Sequence, residues 1–282
     1  KFHRRLHNAL VRAQTQVAPV HAGQLEVVIV GAGATGVELS AELHNTTREL
    51  AAYGLDKINP DRDIQISLIE ASTRVLPALP PKLSNSVALE LSKLRVHLYT
   101  GERVTEVTDK GVYTHSGRFI PSVLVVWAAG IKAPDFLHEI DGLETNRINQ
   151  LVVSRTLQTT QDENVFAFGD CAACPWIGHA DENVPPRAQA AHQQASMLIK
   201  SVKCRVAGKT NLPEFTYRDY GSLVNLGSYT TVGNLMGALS GGSLFIEGMF
   251  ARLMYQSLYK MHLMALHGFW STALQTVART IT

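Results

Sequence analysis

The sequence predicts an α/β chain organised around a strand, a glycine-rich turn and a helix, and three observations carry that prediction. In the run from Gln24 to Leu43, the apolar residues Val27, Val28, Ile29 and Val30 lead directly into Gly31, Gly33 and Gly36 and then into helix-forming residues. A second apolar segment, Ile64 to Glu70, ends in an acid. Further short apolar runs alternate with helical patterns as far as Ala128, as expected for parallel strands joined by helices.

Each glycine in the first segment has a mechanical reason to be there. Gly31 allows a tight turn, Gly33 lets a pyrophosphate approach the backbone, and Gly36 lets the helix pack closely on the strand. The free N–H groups and positive end of the helix then face the phosphates. A Rossmann-like dinucleotide-binding unit is therefore expected, with an ordinary tight turn as the alternative. Glu70, at the end of the second strand, suits a ribose 2′-hydroxyl and favours NADH over NADPH. It lies further from the glycines than the usual interval of about 20 residues, because the helix is long and Gly54 to Asp63 forms an extra loop. Arg74, four residues on, is the residue that would meet a 2′-phosphate.

Composition bounds the rest. The chain has 282 residues, 45% of them hydrophobic and 18% charged, enough for a substantial core and for two domains. A formal charge of +2 gives no basic field of the kind nucleic acid requires. The chain opens on Lys1 in a basic amphipathic helical segment, with Phe2, Leu6, Leu10 and Val11 apolar and Arg4, Arg5 and Arg12 polar. It is still helical in pattern from Met249 to Thr282, with no Gly or Pro to stop it. A portion of a longer protein is expected.

After the first unit, Ser84 to Lys93 reads as a helix and Val96 to Tyr99 as a strand. Arg103 to Thr108 and Gly111 to His115 flank Asp109-Lys110-Gly111 as an antiparallel meander. Ser122 to Ala128, a fully apolar run followed by Ala129-Gly130, reads as a buried parallel strand returning to a different domain. The resulting division is an opening helix and linker over 1–22, a dinucleotide domain over 23–120, a second domain over 121–210 and a C-terminal region over 211–282. Val165 to Phe168 reads as a strand ending in Gly169-Asp170, which holds a carboxylate where open α/β sheets bind ligands. On its own, Asp170 reads equally as a turn residue or a helix N-cap.

Taken in order, G-A-G-A-T-G-V-E, V-V-W-A-A-G and V-F-A-F-G-D resemble flavoprotein reductases with two dinucleotide-binding domains. The run Ala188-Gln189-Ala190-Ala191-His192-Gln193-Gln194 and the C-terminal amphipathic region narrow the resemblance to type II NADH:quinone oxidoreductases of bacterial respiratory membranes. The resemblance implies electron transfer from NADH through FAD to a membrane quinone without proton pumping. It implies that Gly31, Gly33, Gly36 and Glu70 hold NADH, that Asp170 meets the FAD ribityl chain with Ala129, Gly130 and Gly169 also in cofactor-binding positions, and that Ala188, Gln189, Gln193 and Gln194 lie near the isoalloxazine ring and the quinone head group. It places Glu38, Gln193 and Gln194 in catalytic positions. Glutamine amides meet flavin and quinone carbonyls without setting a charge beside a ring that takes up a hydride. Apart from the resemblance, Gln193 and Gln194 read as a solvated helix face and Glu38 as a first-turn acid favoured by the helix dipole.

Members of that family carry an earlier glycine motif for the ADP half of FAD, which the sequence does not show ahead of Lys1. The expected architecture is thus an NADH-binding domain, an incomplete FAD-binding Rossmann-like domain and a C-terminal amphipathic membrane-docking region. An incomplete flavin site is expected to hold FAD poorly, and the alternative function is a non-catalytic NADH-binding and membrane-docking fragment. A third reading is an FAD-dependent disulfide reductase using the C-A-A-C pair Cys171 and Cys174, against small packing residues without redox work. No metal site is expected, since Cys204 and His179 offer no second closely spaced ligand pair.

Phe215 to Val224 reads as a strand pair, followed by loops and short strands in the glycine-rich stretch Gly227 to Gly242. From Glu247 the pattern is helical. The stretch between Lys260 and Arg279 carries no full charge, yet His262, His267 and Gln275 interrupt it. A helix lying in the membrane interface is expected, with Arg252, Lys260 and Arg279 toward anionic headgroups and Phe269 and Trp270 as anchors. Burial of the same face in a core or a homodimer is the alternative. The resemblance implies a peripheral protein on the cytoplasmic face of the bacterial inner membrane.

Overall fold

The structure, a computed structural model, describes residues 2–21, 23–227, 231–237 and 242–281. The chain divides into two compact units, one comprising Lys1–Ala129, Gly221–Leu235 and Ser240–Thr282, the other Gly130–Tyr220 and Met236–Leu239.

In the first unit, β1 (Glu26–Val30), α2 (Ala34–Ala52), β2 (Gln65–Glu70), α3 (Pro81–Lys93) and β3 (His97–Thr100) follow the helix α1 (Phe2–Thr15). β1 pairs in parallel with β2, and β2 with β3. Every residue of β1 is buried, which its unbroken apolar run requires of a central parallel strand. Its two faces serve different cores. Val27 and Ile29 pack with Leu6 and Leu10 of α1, Val37 and Ala41 of α2 and Val87 and Leu91 of α3. Val28 and Val30 face Val112 and Ile120 on the other side, following the two-residue period of a strand. Leu6, Ala9, Leu10 and Ala13 of α1 are buried while Val11 is exposed, so the apolar stripe is narrower than the sequence reading.

The antiparallel meander consists of β4 (Val104–Val107), β5 (Gly111–Thr114) and a third strand, β6 (Phe119–Pro121). The sequence reading lacks β6, which is too short for alternation to register. The strand expected to open a different domain, β7 (Leu124–Trp127), instead pairs in parallel with β1 and completes a sheet of order β3-β2-β1-β7. It is an edge strand. Leu124 is buried, Val125 and Val126 are half-buried and Trp127 is 61% exposed, so the expectation of a buried strand is corrected. The first unit runs to Ala129, beyond the boundary read at residue 120.

The second unit is mostly irregular chain. β8 (Leu151–Val152) pairs in parallel with β9 (Ala172–Ala173), and one long helix, α4 (Ala188–Val206), packs its Ala190 and Met197 against Leu151, Val153, Leu157 and Cys174. Val165 to Phe168 does not form the expected strand, and a single bridge joins Gln158 to Phe166. The residues from 211 to 220 have no regular structure either; the expected strand pair is reduced to β10 (Gly221–Asn225).

β10 pairs antiparallel with β11 (Thr231–Gly237), which neighbours β12 (Gly242–Glu247) in a three-stranded sheet. Part of the glycine-rich stretch, residues 228–230 and 238–241, lies outside the described residues. Two helices follow, α5 (Gly248–His267) and α6 (Phe269–Ile281). Gly268, with φ +80°, ends α5, and its N–H donates to the Met264 carbonyl at 2.9 Å. A glycine at this position stops a helix because only it enters that backbone region freely, so the helical pattern read without a stop from Met249 to Thr282 is interrupted at Gly268. Lys260 Nζ donates to Thr276 Oγ1 at 2.7 Å and ties them together. Among the described residues no helix is long and apolar enough to cross a membrane.

Close packing at the turn between β1 and α2 makes a quantitative prediction. A Cβ on Gly36 would lie 1.9 Å from the Gly31 carbonyl oxygen. Gly36→Ala should destabilise the chain by about 3 kcal/mol in urea unfolding, at the upper end of overpacking costs. An unchanged unfolding midpoint would contradict the packing described.

Candidate functional site

Three glycines shape the first part of the site in the three ways their sequence positions suggest. Gly31 has φ +103°, and a Cβ there would lie 2.6 Å from the Ala129 backbone. Ala129, at the end of β7, is thus the wall against which the turn closes. Gly36 abuts the Gly31 carbonyl, while nothing lies within 4 Å of a Cβ built on Gly33. The open side of the turn is therefore at Gly33, the residue preceding α2, where unpaired N–H groups begin.

Glu70 is tied into the same turn. One carboxylate oxygen accepts from the Ala32 N–H at 2.8 Å and the other from the Ser72 N–H at 2.8 Å. Backbone donors thereby fix the carboxylate beside the glycine turn, and each oxygen retains accepting capacity for a hydroxyl. Arg74 takes no part: its guanidinium donates to the carbonyls of Leu79 at 2.6 Å and Pro77 at 2.7 Å. The cation that would meet a 2′-phosphate is engaged with its own loop.

Glu38 is the fifth residue of α2 and lies beyond the first turn, so the helix-dipole reading of this acid does not apply. Its carboxylate accepts from the Asn225 N–H of β10 at 2.9 Å. Burial pushes its pKa up, and the Asn225 hydrogen bond offsets part of that rise. Tyr255 of α5 has its own pKa raised, first by burial and then by the Glu38 charge. Neither neighbour is legible in sequence, since Asn225 lies 187 residues and Tyr255 217 residues further along the chain.

The Gly169-Asp170 turn lies in the second unit. Gly169 has φ +70° and its N–H donates to Gln194 Oε1 at 2.7 Å. Gln150 Nε2 donates to the Asp170 carbonyl at 2.9 Å. Two buried glutamine side chains thus clamp the backbone of the turn, and the Asp170 side chain is left exposed. Gln150 was not anticipated. Its signal was a polar side chain beside the short strand Leu151–Val152, too weak to single out.

Gln193 and Gln189, one helical turn apart on α4, hold the segment 218–220. Gln193 Nε2 donates to the Arg218 carbonyl at 2.9 Å, and Gln193 Oε1 accepts from the Arg218 N–H at 3.1 Å. Gln189 Oε1 accepts from the Tyr220 N–H at 3.1 Å, and its Nε2 donates to Asp219 Oδ1 at 3.2 Å. The solvated-face reading of Gln193 and Gln194 is corrected. Gln194 is 2% exposed, and Gln189 and Gln193 are half-buried and bonded to a neighbouring segment. Ala188 is exposed at the start of α4, and Gly130, with φ +69°, is exposed at the start of the second unit.

Cys171 and Cys174 are both free thiols. Cys171 Sγ donates to the Phe168 carbonyl at 3.2 Å. Cys174 is fully buried, and burial pushes its thiol up to about 11. A thiol of that kind is almost wholly protonated at neutral pH and makes a poor redox partner. A thiol-reactive disulfide reagent at pH 8 should therefore modify Cys174 about a hundredfold more slowly than in the unfolded chain. Equal rates would restore the dithiol reading.

A protein-family model described as pyridine nucleotide-disulphide oxidoreductase matches residues 4–195. The chain is 45% identical over 249 residues to a type II NADH:quinone oxidoreductase of Haemophilus influenzae, covering 88% of this chain and 55% of that protein. It is 29% identical over 218 residues to one of Staphylococcus aureus, covering 76% and 52%. The chain spans about half the length of these curated relatives. Among solved structures, an NDH2 from Plasmodium falciparum in complex with NADH aligns with TM-score 0.76 at 19% identity, over 95% of this chain and 68% of that one. A ferredoxin reductase from Rhodopseudomonas palustris aligns with TM-score 0.57 at 22% identity, over 77% and 48%. At these identities the structural likeness establishes the fold.

Proposed function

The chain belongs to the pyridine nucleotide-disulphide oxidoreductase family, and on that premise we propose that it is the NADH-binding and quinone-facing portion of a type II NADH:quinone oxidoreductase. The observation that carries the nucleotide half of this reading is Glu70, fixed by the Ala32 N–H beside the open face of Gly33. The relatives from Haemophilus influenzae and Staphylococcus aureus, named for NADH:quinone oxidoreduction, support the rest.

In this reading the pyrophosphate lies over Gly33 and the first N–H groups of α2, and Glu70 accepts from the ribose hydroxyls. The residues of the second unit suit FAD in two respects. Asp170 offers an exposed carboxylate on a clamped turn, fit for a polyol hydroxyl, and the start of α4 offers uncharged amides. FAD, when bound, supplies the ring that takes a hydride from NADH and passes two electrons to quinone without proton pumping. Glu38, its pKa raised by burial, holds a proton nearer to neutral pH than an exposed glutamate does. That suits it to deliver protons as the quinone is reduced.

The apolar surface of α5 and α6 supports docking on a membrane. Met249, Leu266 and Trp270 are each 78% exposed, and Phe269 and Leu274 are exposed beside them. Exposed Arg252 supplies positive charge on α5, as an interfacial helix on anionic lipid requires. The side chain of Arg279 lies outside the described residues, and Lys260 is engaged with Thr276. A peripheral position on the cytoplasmic face of the bacterial inner membrane follows from this reading, with burial of the same face between two copies as the competing arrangement.

The test is a visible spectrum of the chain after incubation with FAD and desalting, followed by anaerobic NADH and then a soluble quinone. The reading predicts a flavin band that bleaches with NADH and returns with quinone. A chain without that band would be an NADH-binding portion with no turnover of its own. Glu38→Gln keeps an oxygen for the Asn225 N–H and should slow quinone reduction at least about tenfold with little change in thermal stability. An unchanged rate would remove Glu38 from proton delivery.

A further inference from the structure

Among the described residues, Leu76, Arg95, Asn149, Leu157 and Asp181 have positive φ without being glycine. A Cβ is crowded in that region, so each case needs a compensation. Leu76 and Leu157 are 2% and 0% exposed, and burial of their side chains supplies it. Asn149 and Asp181 are of the residue types that enter the region most readily. Arg95, with φ +57°, has neither excuse: it is exposed, and among the described residues its guanidinium makes no hydrogen bond or ion pair. An outlier of this kind points from backbone strain to function.

Glycine fills the same position elsewhere in the chain. The Arg95 N–H donates to the Ser92 carbonyl at 2.9 Å and the Val96 N–H to the Leu91 carbonyl at 3.0 Å, the paired hydrogen bonds that close α3. The same pair closes α4, from Gly208 to Arg205 at 2.9 Å and from Lys209 to Cys204 at 2.9 Å, with φ +73° at Gly208. The helix ending therefore does not call for arginine. What the arginine adds is its side chain, which lines a cavity of about 80 Å³ with His44 and Arg48 of α2, Asp61, Gln65 at the start of β2 and His97 at the start of β3. β1, β2 and β3 are parallel, and Gly31 follows the other end of β1, so the cavity and the glycine turn lie at opposite ends of the sheet.

Arg48 pairs with Asp61 and donates to the His44 carbonyl at 3.3 Å. The Arg48 hydrogen bond, then its charge, and more weakly the Arg95 charge hold the Asp61 carboxyl below its ordinary value. Burial, aided by the Arg48 charge, pushes His44 down to about 4, so this ring is uncharged near neutral pH. Two guanidinium groups thus face one carboxylate, and the carboxylate engages only the first by hydrogen bonding. We infer that the cavity is an anion site separate from the glycine turn, in which Arg95, with Arg48 and His97, takes a phosphate-sized oxyanion. The guanidinium fork matches the oxygens of such an ion, and a cavity with room for several water molecules has room for one. The bound anion is the compensation that the Arg95 backbone otherwise lacks.

The test is a titration of the chain with inorganic phosphate at an ionic strength held constant with chloride. It is read by the ring resonances of His97, assigned by their absence in His97→Gln, and by thermal unfolding. The wild-type resonances should shift saturably, and the unfolding temperature should rise with the same dependence on phosphate. Arg95→Gly should weaken phosphate binding at least about tenfold. In phosphate-free buffer the same variant should unfold at the wild-type temperature or above it, because glycine accepts the backbone conformation freely. Methyl phosphate that binds as tightly, and through Arg95, would extend the ligand to phosphate monoesters, while binding at least about tenfold weaker than phosphate would assign the site to the free ion. Absence of saturable binding of either ion to the wild type, or binding undiminished in Arg95→Gly, would overturn the inference. So would an Arg95→Gly chain that unfolds below the wild type in phosphate-free buffer, since the arginine would then serve the end of α3 and Asp61 without a ligand.

Discussion

The approach of α2 to the end of β1 is the constraint on which the site depends. Gly31 and Gly36 have no side chain because each faces backbone atoms closer than any Cβ tolerates, Ala129 in one case and the Gly31 carbonyl in the other. That contact brings the start of α2 beside the sheet and leaves the space at Gly33 open. It also sets Ala32 where its N–H reaches Glu70 at the end of the neighbouring strand. Packing at the turn, the open space at Gly33 and the position of the Glu70 carboxylate are therefore one geometric arrangement. The central strand β1 that supports it is buried on both faces, by helices on one side and the meander on the other.

Much of this arrangement was legible in the sequence because its causes are local. Four consecutive β-branched residues, three spaced glycines and an acid closing the next strand each report a conformation or a ligand contact within a few residues. The errors share a different origin. The partner of β7, β1, lies about a hundred residues earlier, and an apolar run does not state which strand it joins. Phe215 to Tyr220 reads as part of a strand pair, yet the backbone groups of Arg218 and Tyr220 go to Gln193 and Gln189 of α4. Gly268 leaves little trace in the sequence pattern, because the helical periodicity resumes at Phe269 immediately after it.

The glutamines show the same limit at the site. Their residue types suggested amide contacts with a ring, but the structure first spends those groups on protein backbone. Gln194 and Gln150 hold the Gly169-Asp170 turn, while Gln189 and Gln193 hold Arg218 and Tyr220. The pattern of polar side chains in this unit is thus a scaffold for an irregular chain that has little sheet of its own to order it. The buried Cys174 belongs to the same scaffold, packed with Leu151, Val153 and Leu157.

Glu70 carries the central claim, since it links the glycine turn to the choice of nucleotide. Calorimetric titration of the chain with NADH and with NADPH tests that claim without requiring flavin or turnover. The account predicts that NADH binds at least about tenfold more tightly, a difference of about 1.4 kcal/mol, and that replacing Glu70 by Gln narrows the gap. Equal affinity for the two nucleotides, or no binding of NADH at all, would contradict it.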